Sequence, residues 1–103
     1  MNELKLFINN DEDLYRRQFM PIIANIKRKI KRGVYNHELA PKLWMFLVDN
    51  AAKKYVKEFG SPDQDVKDMF PKELRMEIAK DLADEELDKI KAGEYDVVKG
   101  TIS

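Results

Sequence analysis

Residues 37–59 read HELAPKLWMFLVDNAAKKYVKEF, and this stretch decides the fold. Its apolar side chains recur every three or four residues, which is the spacing that places them on one face of an α-helix. Asn36 stands before the stretch as a helix cap, and Gly60 stands after it as a stop signal. We therefore predict a single helix over residues 37–59, with Trp44 facing a hydrophobic core.

Met45 and Phe46 widen the apolar arc of this helix beyond one stripe. An arc of that width belongs either to a helix at the centre of its bundle or to a helix that carries a partner surface. Met45 and Phe46 are therefore candidate protein-interface residues. A symmetric dimer is one contact that they can form, since two-fold dimers are the commonest oligomers.

Upstream of this stretch, a first helix is predicted over residues 10–31. Asn10 caps its start, acidic residues occupy the first turn, and isoleucines at helical spacing form its apolar face. Pro21 interrupts the pattern, because a proline inside a helix removes a hydrogen bond and collides with the preceding turn. We expect a kink or a break near residues 17–20.

A third helix is predicted over residues 71–92, with leucine, isoleucine and alanine on one side and acidic residues on the other. Residues 61–69, before it, are expected to form a loop or a single helical turn capped by Ser61. The first and third helices both run into Lys-x-Gly-x-Tyr followed by Asn or Asp. A glycine in the left-handed conformation commonly ends a helix, so Gly33 and Gly93 are predicted to adopt it.

Together these patterns predict an all-α fold, a compact bundle of three main helices with short connecting turns. Residues 1–103 form a single helical domain with an ordered core of about 10–95, since a second core needs roughly 50 residues of its own. Leu4, Leu6 and Ile8 are apolar at every second position of residues 4–8. That alternation permits a short extended segment at the N-terminus, paired with residues 97–103.

The cellular setting is indicated by what the composition lacks. Cysteine is absent, so a disulfide framework and a thiolate metal site are excluded and a reducing compartment fits. The first residues lack the basic and apolar regions of a signal peptide, and no apolar run approaches the roughly 18 residues that span a bilayer. We expect a soluble cytoplasmic protein without membrane contact.

An enzyme needs convergent reactive groups, and few are available. His37 is the only histidine, and the four glycines stand singly, so a histidine metal cluster and a glycine-rich phosphate loop are excluded. A row of carboxylates, Glu77, Asp81, Asp84 and Asp88, shares one face of the third helix, but a single helix face rarely surrounds a cation. We expect no catalysis, no metal and no cofactor.

Positive charge is densest at residues 27–32, where five of six side chains are basic. A helix bearing such a face can follow a phosphate backbone, and a tyrosine beyond it can stack on a base. The candidate nucleic-acid-binding residues are Arg16, Arg17, Lys27, Arg28, Lys31 and Tyr35. The alternative is a solvated helix end, because the helix dipole favours cations in the last turn.

Charge also differs between the two parts of the chain, although the net charge is +0. Residues 1–60 hold 12 basic against 7 acidic side chains, and residues 61–103 hold 7 against 12. Such asymmetry marks an electrostatic interaction surface in some proteins. In others the two parts simply attract each other within the fold.

A family resemblance extends over most of the chain, residues 14–95. The residues that carry it are Leu14, Tyr15, Pro21, Ile22, Asn25, residues 29–35, Lys42, Leu43, Trp44, Asp49, residues 51–55, Phe70 and Pro71. With these residues the chain resembles small uncharacterised all-helical proteins of phages, plasmids and their bacterial hosts. The resemblance implies a compact helical fold and a mobile-element setting, and it implies no site.

The function that the sequence favours is therefore that of a non-catalytic binding or accessory protein. Its expected partner is a protein, either a second copy or a different chain. The alternative is a nucleic-acid-binding protein that uses the basic face of the first helix.

Overall fold

Trp44 has no exposed surface in the computed structural model, which describes residues 3–96. The centre of its ring system lies 5.1 Å from that of Phe19. The buried residues form one core cluster, to which each of the three predicted helices contributes. Its members include Phe19, Ile26, Trp44, Leu47, Val48, Ile78 and Leu82.

Every regular element of the described chain is helical, which confirms the all-α prediction. In chain order the elements are α1 (Glu3–Asn10), α2 (Glu12–Leu14), a π-helical segment (Tyr15–Phe19), α3 (Met20–Lys31), a 3₁₀ turn (His37–Leu39), α4 (Ala40–Phe59), α5 (Val66–Met69), α6 (Lys72–Lys91) and a 3₁₀ turn (Glu94–Asp96).

The predicted second helix is present with its expected cap and stop. The Asn36 side chain accepts a hydrogen bond from the Glu38 backbone N–H at 3.0 Å, and the 3₁₀ turn leads directly into α4. At the far end the Gly60 N–H donates to the Val56 carbonyl at 2.8 Å. A Cβ at Gly60 would lie 2.7 Å from that same oxygen, so the close approach requires glycine.

The break expected before Pro21 is a π-helical segment. The Met20 N–H donates to the Tyr15 carbonyl, five residues back, while the residues at both junctions keep right-handed helical dihedrals. Helices commonly accommodate a local disruption by such a wide turn. Right-handed helical backbone is therefore continuous through α2, the π-helical segment and α3, which together we name the rod.

The start of that rod was predicted wrongly. Asn10 ends α1, and the cap is Asp11, whose carboxylate accepts from the Leu14 N–H at 2.9 Å. The predicted extended segment at residues 4–8 is also wrong, because these residues belong to α1. Leu4 and Ile8 are four residues apart and fully buried, as one face of a helix requires. The predicted pairing partner, residues 97–103, lies outside the described residues.

Consequently α1 is a fourth main helix beside the three that the sequence predicts. Its Phe7 ring packs edge-on against Tyr55 of α4, with centroids 5.4 Å apart. The third predicted helix is present as α6, and Gly33 and Gly93 take φ values of +74° and +78°, as predicted. The single turn within residues 61–69 is α5, but Asp65 caps it instead of Ser61.

Side-chain contacts fix α4 between the rod and α6. Asp49 of α4 pairs with Arg75 of α6 at 2.5 Å, and Asn50 donates to Gln18 of the rod at 2.9 Å. Asp49 and Asn50, which make these two contacts, are adjacent in α4. The side of α4 that carries Lys42 and Phe46 is open to solvent, since both side chains are exposed.

Candidate functional site

The open side of α4 presents a row of apolar side chains. Phe46 is 72% exposed, the highest fraction among the large apolar residues of the described chain, and Leu39 is 51% exposed. Leu43 is half-buried between them. Residues spaced by four and three share one helix face, so the three side chains form a continuous row.

A pocket extends this row toward the end of α3. Its volume is about 250 Å³, and Val34, Leu39 and Leu43 contribute to its wall. Val34 is itself 60% exposed. The apolar strip, as we name it, consists of Val34, Leu39, Leu43 and Phe46.

The two predicted interface residues lie in different environments. Phe46 belongs to the apolar strip, and its ring contacts no other aromatic ring of the described residues. Met45 is half-buried and packs against the core cluster. Of the two, Phe46 alone is available to a partner without rearrangement.

Lysines border the apolar strip. Lys29 and Lys42 line the pocket, and Lys53 lies two helical turns beyond Phe46 on α4. None of the three forms an ion pair with any residue between 3 and 96. The nearest acid on this side of α4, Asp49, is already held by Arg75. Exposed Glu38, next to Leu39, is the other acid beside the strip. Three lysines without an ion pair against this one carboxylate leave a net positive charge around the strip.

A second exposed apolar patch lies where α1 meets the end of α4. Phe59 is 64% exposed, but its ring lies 4.9 Å from Tyr55 and 6.1 Å from Phe7, measured between centroids. These edge-on and tilted contacts are the arrangements that aromatic rings prefer. The patch thus has a structural role in seating α1, a role that Phe46 lacks.

The six predicted nucleic-acid-binding residues lie in different environments. Arg16, Arg28 and Lys31 are exposed. Arg17 is paired with Asp13 at 3.1 Å, and Lys27 is half-buried and already has an interaction partner.

The exposed cations also lie far apart along the chain of helices. Arg16 lies in the π-helical segment, about 18 Å along the axis from Arg28 at the helical rise of 1.5 Å per residue. Tyr35 is half-buried, and its hydroxyl is hydrogen-bonded to His37 at 2.7 Å.

His37 connects two parts of the chain that sequence reasoning did not link. Its Nε2 lies 2.6 Å from the Asp84 carboxylate of α6, and its Nδ1 lies 2.7 Å from the Tyr35 hydroxyl. In the neutral ring Nε2–H then donates to Asp84 and Nδ1 accepts from Tyr35. The contact spans 47 residues, and no local pattern signals it.

In this chain of three groups the Tyr35 phenol is less acidic than an isolated one. Burial, together with the negative charge of Asp84, raises the pKa of Tyr35, so its phenolate is disfavoured. A nucleophile or general base needs the opposite shift. The arrangement instead ties the turn between α3 and α4 to α6.

The buried carboxylate of Glu86 is likewise occupied. Tyr95 donates its hydroxyl to one oxygen, and Lys89 donates to the other at 3.3 Å. Burial and the neighbouring Glu86 charge raise the pKa of Tyr95. Both groups are therefore fixed in place by their mutual contact.

The described chain offers neither a cluster of metal ligands nor a helix suited to a bilayer. No three histidine, aspartate or glutamate side chains within residues 3–96 are placed to hold a metal ion. Among the helices of this same region, none combines the length and the apolar content needed to cross a membrane.

Comparison of the chain with protein-family models, with curated proteins and with solved structures finds no match.

Proposed function

We propose that this chain is a non-catalytic accessory protein that binds another protein through the apolar strip of α4. The observation that carries the proposal is the 72% exposure of Phe46 in a row with Leu39 and Leu43. Isolated apolar side chains are normal on a protein surface, but a contiguous exposed row commonly marks an interaction site.

The energetics of binding support the choice of Phe46 as the anchor. Burying a phenylalanine side chain fully contributes about 1.5–3 kcal/mol, and a few central residues commonly carry most of an interface's binding energy. Because Phe46 makes no ring contact with the described residues, folding gains little from its aromatic ring.

The pKa of Tyr35 supports a binding role over a catalytic one. Burial and the charge of Asp84 shift it away from the value that a nucleophile or general base needs. The resemblance to helical proteins of phages and plasmids adds a cytoplasmic, mobile-element setting to the proposal.

Nucleic-acid binding is the second candidate function. The exposure of Arg28 and Lys31, one turn apart at the end of α3, favours it. It ranks second because the other predicted contacts are engaged or distant.

Site-specific photo-crosslinking tests the proposal. Phe46 is replaced by p-benzoylphenylalanine in cells that produce this protein, and the matched control carries the same group at exposed Glu77 of α6. We expect one protein adduct at position 46 that is absent at position 77. The adduct is identified by mass spectrometry, and the purified partner must bind the chain and lose about 30-fold in affinity on Phe46→Ser.

Equal crosslinking from both positions contradicts the proposal, and so does an adduct that contains nucleic acid. Thermal unfolding of Phe46→Ser provides the folding control. The variant should melt like the parent, because position 46 is largely exposed.

A further inference from the structure

The shape of the apolar strip fits a helical partner. Leu39, Leu43 and Phe46 extend over about 10 Å along α4 at the helical rise. A helix docks on such a row with its own apolar residues at intervals of three and four. A β-strand partner needs an open sheet edge, and residues 3–96 contain no strand.

The charge around the strip fits an acidic partner. Lys29, Lys42 and Lys53 border the strip without an ion pair in the described region, and they outnumber the exposed Glu38 beside Leu39. Carboxylates at the edge of a docked helix would be complementary to them, and such complementarity sets specificity and association rate.

The same lysines disfavour a second copy as the occupant. A two-fold interface uses the same patch on both subunits, so it would bring two sets of these three lysines together. Like charges placed across an interface are destabilising. A symmetric dimer on this strip therefore meets electrostatic repulsion.

An unsymmetrical contact with α6 of a second copy is disfavoured for a different reason. That helix carries the acidic face of this chain, but its apolar residues Ile78 and Leu82 are buried in its own core. These two side chains cannot reach the strip without unfolding, which makes α6 of a second copy a poor occupant.

From these observations we infer that the partner segment is an acidic amphipathic helix of another protein, lying along α4 with its apolar face on the strip. Its carboxylates pair with Lys29, Lys42 and Lys53. This inference rests on the proposed function and specifies the chemistry of the partner.

Selection from a peptide library tests the inference. The probe is a displayed library of 18-residue helix-forming peptides with acidic and basic residues equally represented at the variable positions. Selection at about 50 mM salt should enrich peptides with apolar residues at i, i+4 and i+7 and a net negative charge. Their affinity should fall about 30-fold on Phe46→Ser.

Charge reversal separates the electrostatic step from the apolar one. The double variant Lys42→Glu with Lys53→Glu should bind the acidic peptides about tenfold more weakly than the parent does. It should bind better the matching basic peptides, in which Lys replaces each Glu. The matched control is Lys67→Glu with Lys72→Glu, which changes the net charge equally at exposed positions outside the strip. The control pair should bind the acidic peptides like the parent.

The failures of the two proposals are distinguishable. Enriched peptides that depend on Phe46 but are neutral or basic overturn the acidic partner and leave protein binding in place. Absence of any peptide that depends on Phe46 overturns both. A dimeric mass that becomes monomeric on Phe46→Ser makes a second copy the occupant and also overturns the inference.

Discussion

At the scale of single residues, Trp44 affects the free energy of unfolding in two ways: its buried ring raises it, and its unpaired N–H lowers it. The indole is fully buried, and its N–H has no hydrogen-bond partner within the described chain. Trp44→Ala should lower the free energy of unfolding by about 3–5 kcal/mol, because it removes the largest core side chain and leaves a cavity. Urea denaturation measures this loss.

The control for that prediction is Trp44→Phe. It keeps an aromatic ring beside Phe19 and removes an unpaired N–H whose burial costs about 1–3 kcal/mol. It should therefore cost clearly less than Trp44→Ala. If alanine were as stable as tryptophan at this position, the core assignment would be wrong.

Tyr95 contributes to stability through its hydrogen bond to buried Glu86. Tyr95→Phe removes the donor and leaves the carboxylate with Lys89 alone, so it should cost about 1.5–3 kcal/mol at pH 7. Tyr15→Phe is the matched control, because Tyr15 is 39% exposed and should lose less than about 0.5 kcal/mol. Equal losses in both variants, measured in urea, would contradict the prediction.

The raised pKa of Tyr95 also predicts alkaline sensitivity. Above the ordinary pKa of 10.0 the unfolded chain releases this proton while the folded chain retains it. The stabilisation is thus complete below pH 10 and is lost as pH rises beyond it. Tyr95→Phe should show a smaller fall in unfolding free energy between pH 9 and about 11 than the parent, and an identical fall would refute the assignment.

Residue-level features were predictable where their cause is local. The burial of Trp44 follows from its spacing in α4, and the Asn36 cap follows from its position before that helix. The contact between His37 and Asp84 was not predictable, since it depends on how two distant helices pack.

At the scale of elements, α1 illustrates where a sequence pattern is ambiguous. Leu4, Leu6 and Ile8 alternate like a strand, while Leu4 and Ile8 alone have the spacing of a helix face. Packing against α4 decides the matter, because the helix buries Leu4 and Ile8 fully and leaves Leu6 47% exposed. At Pro21 the sequence predicted the disruption of the helix, because the clash of a proline is local. It did not predict that a π-helical segment would accommodate that clash.

Gly33 and Gly60 both follow helices, but substitutions at the two positions should change stability differently. Gly33 has φ +74° and open space where a Cβ would lie, so only backbone strain opposes a side chain there. Gly33→Ala should cost about 1–2 kcal/mol, and Gly33→Asn should cost less, because asparagine tolerates the left-handed conformation. Thermal unfolding of the two variants measures the difference.

Gly60 should show the reverse order. Its φ of −87° suits any residue, but a Cβ would collide with the Val56 carbonyl 2.7 Å away. Gly60→Asn should therefore be at least as damaging as Gly60→Ala. The same order of alanine and asparagine at both glycines would show that one cause acts at both helix ends.

At the scale of the whole molecule, ion pairs within the fold connect the basic part of the chain to the acidic part. Lys5 of the basic part pairs with Glu85 of the acidic part, and Asp49 of the basic part pairs with Arg75 of the acidic part. The cations beside the apolar strip are not used in this way. Phe46 could be identified in the sequence as a candidate interface residue. The charge around the strip could not be predicted in the same way, because it depends on which lysines form ion pairs in the fold.

Nucleic-acid binding makes a prediction about the whole surface, because it depends on how many cations are free to contact phosphates. Arg16, Arg28 and Lys31 are exposed, whereas Arg17 and Lys27 are engaged. Three contacts give a slope of about −2.7 for log affinity against log salt on duplex DNA, and five give about −4.5. Fluorescence anisotropy between about 20 and 150 mM salt should therefore show weak binding with the shallower slope.

Variants assign that binding to its surface. Arg28→Gln with Lys31→Gln should remove most of the residual binding, because these two cations lie one turn apart at the end of α3. Phe46→Ser should leave it unchanged, since the apolar strip offers no contact to a phosphate. A slope near −4.5 in the parent would instead mean that the engaged cations are released to the DNA, and nucleic-acid binding would then replace protein binding as the leading function.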